Sequence, residues 1–235
     1  MRNYDLIFYF DRADRILRFI KRLSKSIGYK ILCAASRVSP RHCPRKEPFF
    51  KTATIFYFFY TLPERVPLNY VIMGTAFAVM NTLYLYGIHS RYLWPWHLLV
   101  NDKKISRIDV PAFSERSITA RIFINLNNSF KSTPYSSRVT SMRDILERSV
   151  SESEFGIRLL GNLEKLYEFY LKEPQILIDF FSRYSDLIKR RIIVETASGI
   201  LNGTCEGLDK EGRLALSTDR GVIFLNCTDV IRVEV

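Results

Sequence analysis

Apolar positions recur along this chain at two periods, and the switches between them mark out the elements. Residues 5–10 carry the apolar run Leu6-Ile7-Phe8-Tyr9-Phe10 and read as a strand. Asp11 then caps a predicted helix to Ile27, with Gly28 as its stop. Ile16, Ile20, Leu23 and Ile27 follow helical spacing and form its apolar stripe, while Arg12, Arg15, Arg18, Arg22 and Lys25 cover the remainder. Tyr29–Ala34 reads as a short buried strand. Residues 36–48 hold Pro40, Pro44 and Pro48 with Arg37, Arg41, Arg45 and Lys46, the composition of a basic loop. Thr52–Tyr60 is an aromatic-rich strand, and Asn69–Tyr86 an apolar helix.

The pattern then turns to hairpins. Strands are predicted over Tyr92–Asn101 and Lys104–Val110 around a turn at Asn101-Asp102, with another over Ile118–Leu126. Ser141 and Ser151 are N-cap candidates, and Ser151-Glu-Ser-Glu154 has the capping-box form. The helix it opens runs to about Lys172, with Leu159, Leu163, Leu166 and Tyr170 as its stripe, and a further helix covers Pro174–Ser185. From Arg191 onward the strands become short. Gly199, Gly203, Gly207, Gly212 and Gly221 punctuate them, and Asp209–Gly212 and Asp219–Gly221 have hairpin-turn chemistry. Short, evenly spaced strands of this kind suggest a small closed barrel, so a domain boundary is placed near Lys189.

Composition narrows the class. Hydrophobic residues make up 47% of the 235 residues and charged residues 25%, which excludes disorder and collagen-like repetition. The four cysteines, Cys33, Cys43, Cys205 and Cys227, form no CxxC pair, so a reducing cytoplasm is expected rather than a disulfide framework. The three histidines, His42, His89 and His97, are too scattered to suggest a metal cluster. Val66–Ile88 is apolar enough to raise the question of a membrane span, but Asn69 and Asn81 lie inside it and charged helices follow, which favours a core helix and no membrane partner. The net charge is +11, and residues 1–50 hold 12 Lys and Arg against 4 Asp and Glu. A basic region of this density is either a solvated face or a surface that attracts phosphates.

Several segments together resemble one family. Leu93-Trp94-Pro95-Trp96-His97 leading to Lys103-Lys104-Ile105-Ser106-Arg107-Ile108 is similar to the biotin–protein ligase signature KWPNDxLVxxKKIAGI. Ile122–Asn128 resembles its GIGxNVNN strand, Val139-Thr-Ser-Met142 its ATSL, and Gly203–Leu216 with Asp229–Val233 its C-terminal barrel. The resemblance implies an α+β fold: a mixed-sheet, biotin/lipoate ligase-like catalytic domain over residues 1–189, then an SH3-like barrel over 190–235. It also implies ATP and biotin as ligands, with room for Mg2+, and a biotin carboxyl carrier protein as partner. Such enzymes join biotin to AMP and then pass the biotinyl group to a lysine of that carrier. The chain starts directly in the catalytic region, so no DNA-binding helix-turn-helix is expected.

The motifs that handle charge are the ones that depart. Joining a carboxylate to an α-phosphate brings two anions together, and the site must neutralise both. The family uses GRGRxGRxW, whose glycines let backbone N–H groups approach the ligand. The corresponding loop here, Ser39–Glu47, has no glycine, and Pro40 and Pro44 remove two donors. Leu93 stands at the lysine of KWPND, and Trp96-His97 at its Asn-Asp. The S-T-N expected near Asp14–Leu17 is absent. Arg107 stands at the glycine of KIAG, and Arg121 and Phe123 at the two glycines of GIGxN.

By the same resemblance, Lys104 matches the lysine that contacts the ligand carboxyl and phosphate, and Asn125 the asparagine that holds the nucleotide. Trp94 is a candidate ligand contact, with packing as its alternative. Arg41, Arg45 and Lys46 are candidates to replace the lost loop charge. Two principal readings follow. One is a ligase homologue whose activity is impaired or lost, with lipoate or another acyl group left open as the ligand. The other is a non-catalytic scaffold that pairs with a carrier protein, an active ligase subunit or itself, using exposed strand edges and the aromatic strand Ile55–Tyr60. A third, nucleic-acid binding through the basic N-terminal region, has neither a reading helix nor a stacking platform behind it.

Overall fold

The computed structural model of the chain describes residues 6–10, 19, 31–35, 50, 52–61, 66–114, 117–166 and 173–234. The predicted helix from Asp11 to Ile27, apart from Phe19, and the basic loop with Arg41, Arg45 and Lys46 lie outside these residues.

The chain forms a mixed α+β structure around two sheets. The first has seven strands: β1 (Leu6–Phe10), β2 (Ile31–Ala35), β3 (Thr54–Thr61), β4 (Arg91–Leu93), β5 (His97–Val100), β6 (Lys103–Ser114) and β7 (Ser117–Ile124), in the order β1-β2-β3-β7-β6-β5-β4. The β1–β2 pair is parallel, and the pairs joining β2 through to β4 are antiparallel.

Helix α1 (Leu68–Tyr84) lies on one face of this sheet. Pro67 precedes it with φ −58°, a ring-locked value that suits a helix start. Thirteen of its 17 residues are buried, so it shows no amphipathic stripe and behaves as a core helix. Thr75 and Thr82 turn their hydroxyls back onto the carbonyls of Val71 (2.7 Å) and Ala78 (2.8 Å), which satisfies both inside the core. Among the described residues no helix is long and apolar enough to cross a membrane.

Three further helices follow: α2 (Met142–Leu146), α3 (Glu152–Lys165) and α4 (Gln175–Tyr184). Leu159, Leu163 and Leu166 of the predicted stripe are fully buried, and Tyr170, its fourth member, lies outside the described residues. Gly74 of α1 lets this stripe come close: a Cβ there would lie 2.6 Å from Leu166 Cδ1. Residues 167–172, the predicted end of that helix, are outside the described set. Ser151 Oγ accepts the Glu154 N–H (3.3 Å), and the Glu154 carboxylate takes the Arg158 guanidinium one turn on.

Two expectations are corrected here. The single strand predicted over Tyr92–Asn101 is two strands, β4 and β5, separated by a turn at Trp94-Pro95-Trp96. Pro95 has no N–H for a ladder. Instead Tyr92 Oη donates to the Pro95 carbonyl (2.8 Å), and the Ile108 N–H to the Trp96 carbonyl (2.8 Å). The aromatic strand is also no interface: β3 lies inside the sheet between β2 and β7, and Ile55 to Phe59 are at most 6% exposed. Phe56 and Phe58 share one core with α1, while Ile55 and Tyr57 alternate onto the opposite face, buried as well. A strand covered on both faces reads as a continuous apolar run, as this one does.

The second sheet is antiparallel, built from β8 (Arg191–Thr196), β9 (Gly199–Leu208), β10 (Leu214–Thr218), β11 (Gly221–Leu225) and β12 (Val230–Glu234), in the order β11-β10-β9-β8-β12. It docks on the start of α1. Buried Asn69 accepts the Cys227 N–H (3.0 Å) and donates to the Glu211 carbonyl (3.1 Å), and Tyr70 Oη donates to the Lys210 carbonyl. Gly212, at φ +71°, presses its turn onto the same spot: a Cβ there would meet Met73 at 3.0 Å and Asn69 at 3.1 Å. Cys205 and Cys227 are free thiols in this core, and burial raises them to about 11 and about 12.

Candidate functional site

Lys104 and Asn125 come together through the backbone of one residue. The hairpin turn before β6 places Asn101 and Asp102 at φ 49° and 61°, the paired left-handed conformation of a tight two-residue hairpin. Lys104 follows at the start of β6. Its N–H donates to the Arg138 carbonyl (2.9 Å), and its carbonyl accepts the Thr140 N–H (3.0 Å). Asn125 follows directly on β7, fully buried, and its Nδ2 donates to the Thr140 carbonyl (3.2 Å). Its backbone joins Ile105 and Met142 (3.0 and 2.9 Å), and its Oδ1 accepts from Asn128 (3.3 Å). In this structure Asn125 is therefore a tie that locks the end of β7 to the segment before α2.

That segment, residues 127–141, is held by a set of side-chain clamps. Asn127 exchanges two hydrogen bonds with the backbone of Val150 (2.9 and 2.8 Å). Ser141 Oγ donates to the Asn128 carbonyl (2.6 Å) and accepts the Asp144 N–H (3.0 Å), which caps α2. Asp144 in turn accepts from the Ser129 hydroxyl (3.0 Å) and the Phe130 N–H (2.8 Å). Beside this segment and the β5–β6 turn lies a cleft of about 600 Å³, lined among others by Lys103, Phe130, Lys131, Ser136, Thr140 and Asp144. Sequence reasoning named Asn125 and missed Asn127, Ser129 and Asp144. The signal was there: an Asn-rich strand end, and Ser141 followed three residues later by an acid in the first turn of the helix. Ser141→Ala is expected to lower stability by about 1–2 kcal/mol, read as a drop in urea midpoint at unchanged slope, because it strips both the cap and the Asn128 bond.

A second cluster spans the face of the sheet turned away from α1. His97 pairs across β5–β6 with Arg107, Arg107 across β6–β7 with Phe123, and Phe123 across β7–β3 with Ile55. The neighbouring row is Asp109, Arg121 and Tyr57. The Arg121 guanidinium grips Asp109 through both oxygens (2.7 and 2.7 Å), with each side chain less than a fifth exposed. Burial alone would lower the Arg121 pKa, but the bond and charge of Asp109, helped by Tyr57, hold it above its ordinary value. Arg121 also lies over the Phe123 ring (5.2 Å), which packs against Phe50 (6.0 Å). The Arg107 guanidinium sits over Trp96 (5.6 Å), with Nη1 at 3.4 Å from His97 Nε2.

The remaining sequence-predicted residues separate. Trp94 is 1% exposed and belongs to the hydrophobic core. Arg41, Arg45 and Lys46 lie outside the described residues. Among the described residues, no group of three or more His, Cys, Asp or Glu is arranged to hold a metal ion.

Comparison with solved structures identifies the fold. Biotin protein ligase from Aquifex aeolicus, in complex with biotin and ATP, matches with TM-score 0.76 and 15% identity over 100% of this chain and 99% of that one. Biotin acetyl coenzyme A carboxylase synthetase from Helicobacter pylori, with bound biotinylated ATP, matches with TM-score 0.60 and 16% identity over 95% and 100%. A biotin protein ligase-like protein of unknown function from silicibacter sp. tm1040 matches with TM-score 0.64 and 10% identity over 96% and 95%. No protein-family model and no curated protein matches the chain. The chain thus has the fold of biotin protein ligases, at identities too low to carry function with it.

Proposed function

We propose that this chain is a biotin–protein ligase homologue in which the adenylation of biotin is impaired or lost. The homology rests on the shared fold over the whole chain and on the ordered motifs around Lys104, Asn125 and Val139–Met142. The loss rests on one observation above the others. Arg107, Arg121 and Phe123, at the three positions where the ligase motifs carry glycine, stand on one face of adjacent strands, and Arg107 and Phe123 are direct cross-strand partners. Glycine there leaves backbone accessible to a ligand; two guanidinium groups and a phenyl ring fill the same ground.

In the family reaction the biotin carboxylate attacks the α-phosphorus of ATP and pyrophosphate leaves. A carrier lysine then attacks the acyl carbon and AMP leaves. The first step needs cations at the phosphate, and Leu93 at the motif lysine supplies none. Loss of one such group commonly costs on the order of 10²–10³ in rate. Of the family's ligand-contacting lysines, Lys104 is the one that persists among the described residues.

We read residues 190–235 as the small SH3-like barrel of the family and residues 1–189 as its ligase-like domain. ATP and biotin are the ligands this reading names, and a biotin carboxyl carrier protein the partner. A filled ligand face on a fully retained fold also favours a scaffold role toward that carrier or toward an active ligase subunit.

The test is biotin-dependent ATP–pyrophosphate exchange. The expected result is exchange at least 100-fold below that of an active ligase run alongside. Exchange at a normal ligase rate, dependent on biotin and abolished by Lys104→Ala, would overturn the proposal.

A further inference from the structure

The departures at 96, 97 and 107 lie at opposite ends of one signature, eleven positions apart at the widest, yet in the structure they touch. Trp96 and His97 replace its Asn-Asp, and Arg107 replaces its glycine. The turn at Trp94–Trp96 brings the first two to the start of β5, and register sets His97 directly opposite Arg107. The Arg107 chain then reaches back across β5, lays its guanidinium on Trp96 at 5.6 Å and brings Nη1 to 3.4 Å from His97 Nε2. The backbone braces the same junction, with the Ile108 N–H bonded to the Trp96 carbonyl at 2.8 Å. A flexible cation is thereby parked on an aromatic plane beside a ring nitrogen.

The other two glycine replacements are built differently. Phe123 is fully buried between Phe50 and Arg121, and Arg121 is locked to Asp109. Removing either damages the core. Arg107 is partly exposed, and its register with His97 and Phe123 is held by backbone, so a shortened side chain is expected to keep the strand paired.

We propose that Trp96, His97 and Arg107 form one side-chain plug that closes this face of the sheet to biotin, with Arg107 as the residue that determines exclusion. The inference rests on the ligase reading above, and it deepens that reading from a list of missing groups to a specific occluding contact. Loss of catalytic charge slows a reaction on a bound ligand, whereas a plug prevents the ligand from binding at all. Lys104 therefore faces an empty task for a steric reason as well as an electrostatic one.

The experiment is a biotin titration of the full chain, followed by thermal unfolding and by tryptophan emission, in wild type, Arg107→Ala, Arg107→Gly and Arg107→Lys. The expected result is no biotin-dependent shift in wild type or Arg107→Lys, and at least tenfold tighter biotin binding in the two shortened variants. Trp96→Ala, which removes the platform, is expected to give part of the same gain, and Trp96→Ala/Arg107→Ala no more than Arg107→Ala alone, because both changes release one unit. Shortened variants that keep the wild-type circular dichroism and bind biotin no better than wild type overturn the plug. Wild type that binds biotin as tightly as they do overturns it too. Pyrophosphate exchange by wild type bears on the ligase reading and is scored separately, so the two can fail independently.

Discussion

Asp109→Ala is expected to cost about 3 kcal/mol of folding stability, a large share of the 5–15 kcal/mol that holds a typical domain. The carboxylate is the bidentate partner of Arg121, and both side chains are less than a fifth exposed. Its removal strands a guanidinium that remains charged at every accessible pH. Breaking one side of a buried pair commonly costs about 3–5 kcal/mol, and the residual exposure here places the loss at the lower end. The decisive comparison is with both partners replaced. Asp109→Leu/Arg121→Met removes the two charges together and is expected to recover most of the loss, since a well-filled apolar pair matches or exceeds a buried ion pair. Urea unfolding of the two variants checks this. A single variant as stable as wild type would mean that the pair contributes nothing to the fold.

Phe155→Ala is expected to cost about 3–5 kcal/mol, by the transfer and cavity terms of a fully buried ring. Phe155 joins three elements: it sits on α3, packs on Phe56 of β3 (5.7 Å between centroids) and stacks against Tyr86 after α1 (6.0 Å). Two residues along the same helix, Ile157 is 62% exposed, and Ile157→Ala is expected to change stability by less than about 0.5 kcal/mol. Measured by denaturant midpoint at constant slope, the pair separates burial from helix propensity, because both substitutions end in the same residue.

Elements governed by local pattern were legible in the sequence. The apolar helix, expected at Asn69–Tyr86, runs Leu68–Tyr84, and the hairpin turn at Asn101-Asp102 stands where its residues place it. Ser141 and Ser151 are N-caps because their short side chains reach the third backbone N–H, a relation that sequence spacing expresses directly. What escaped depends on distant partners. The break at Pro95 is set by hydrogen bonds to Tyr92 and Ile108, the second of which crosses between strands. Reading the aromatic strand as an interface passes over its run without polar relief, which is the pattern of a doubly covered strand, and its place between β2 and β7 shows both faces covered. The site divided along the same line. Lys104 and Asn125 were found as motif positions, but their meeting at Thr140 needs the turn of chain from 127 to 141 to be in place. Arg107, Arg121 and Phe123 registered as missing glycines, and their arrangement in cross-strand rows is a property of register.

The contact between Asn69 and the turns at Glu211 and Cys227 bears on how the molecule comes apart. Asn69 is simultaneously the first turn of the central helix and the socket of the C-terminal sheet, so neither can loosen without stripping the hydrogen bonds of the other. Local openings that begin at either end are therefore coupled, and heating should take both sheets through one calorimetric transition rather than two. Cooperativity across the chain is then carried by polar atoms at a helix tip together with the apolar core that Ile192, Val194, Leu214 and Leu216 share with the central helix. A lineage can lose the ligase chemistry while the melting behaviour of the scaffold stays whole.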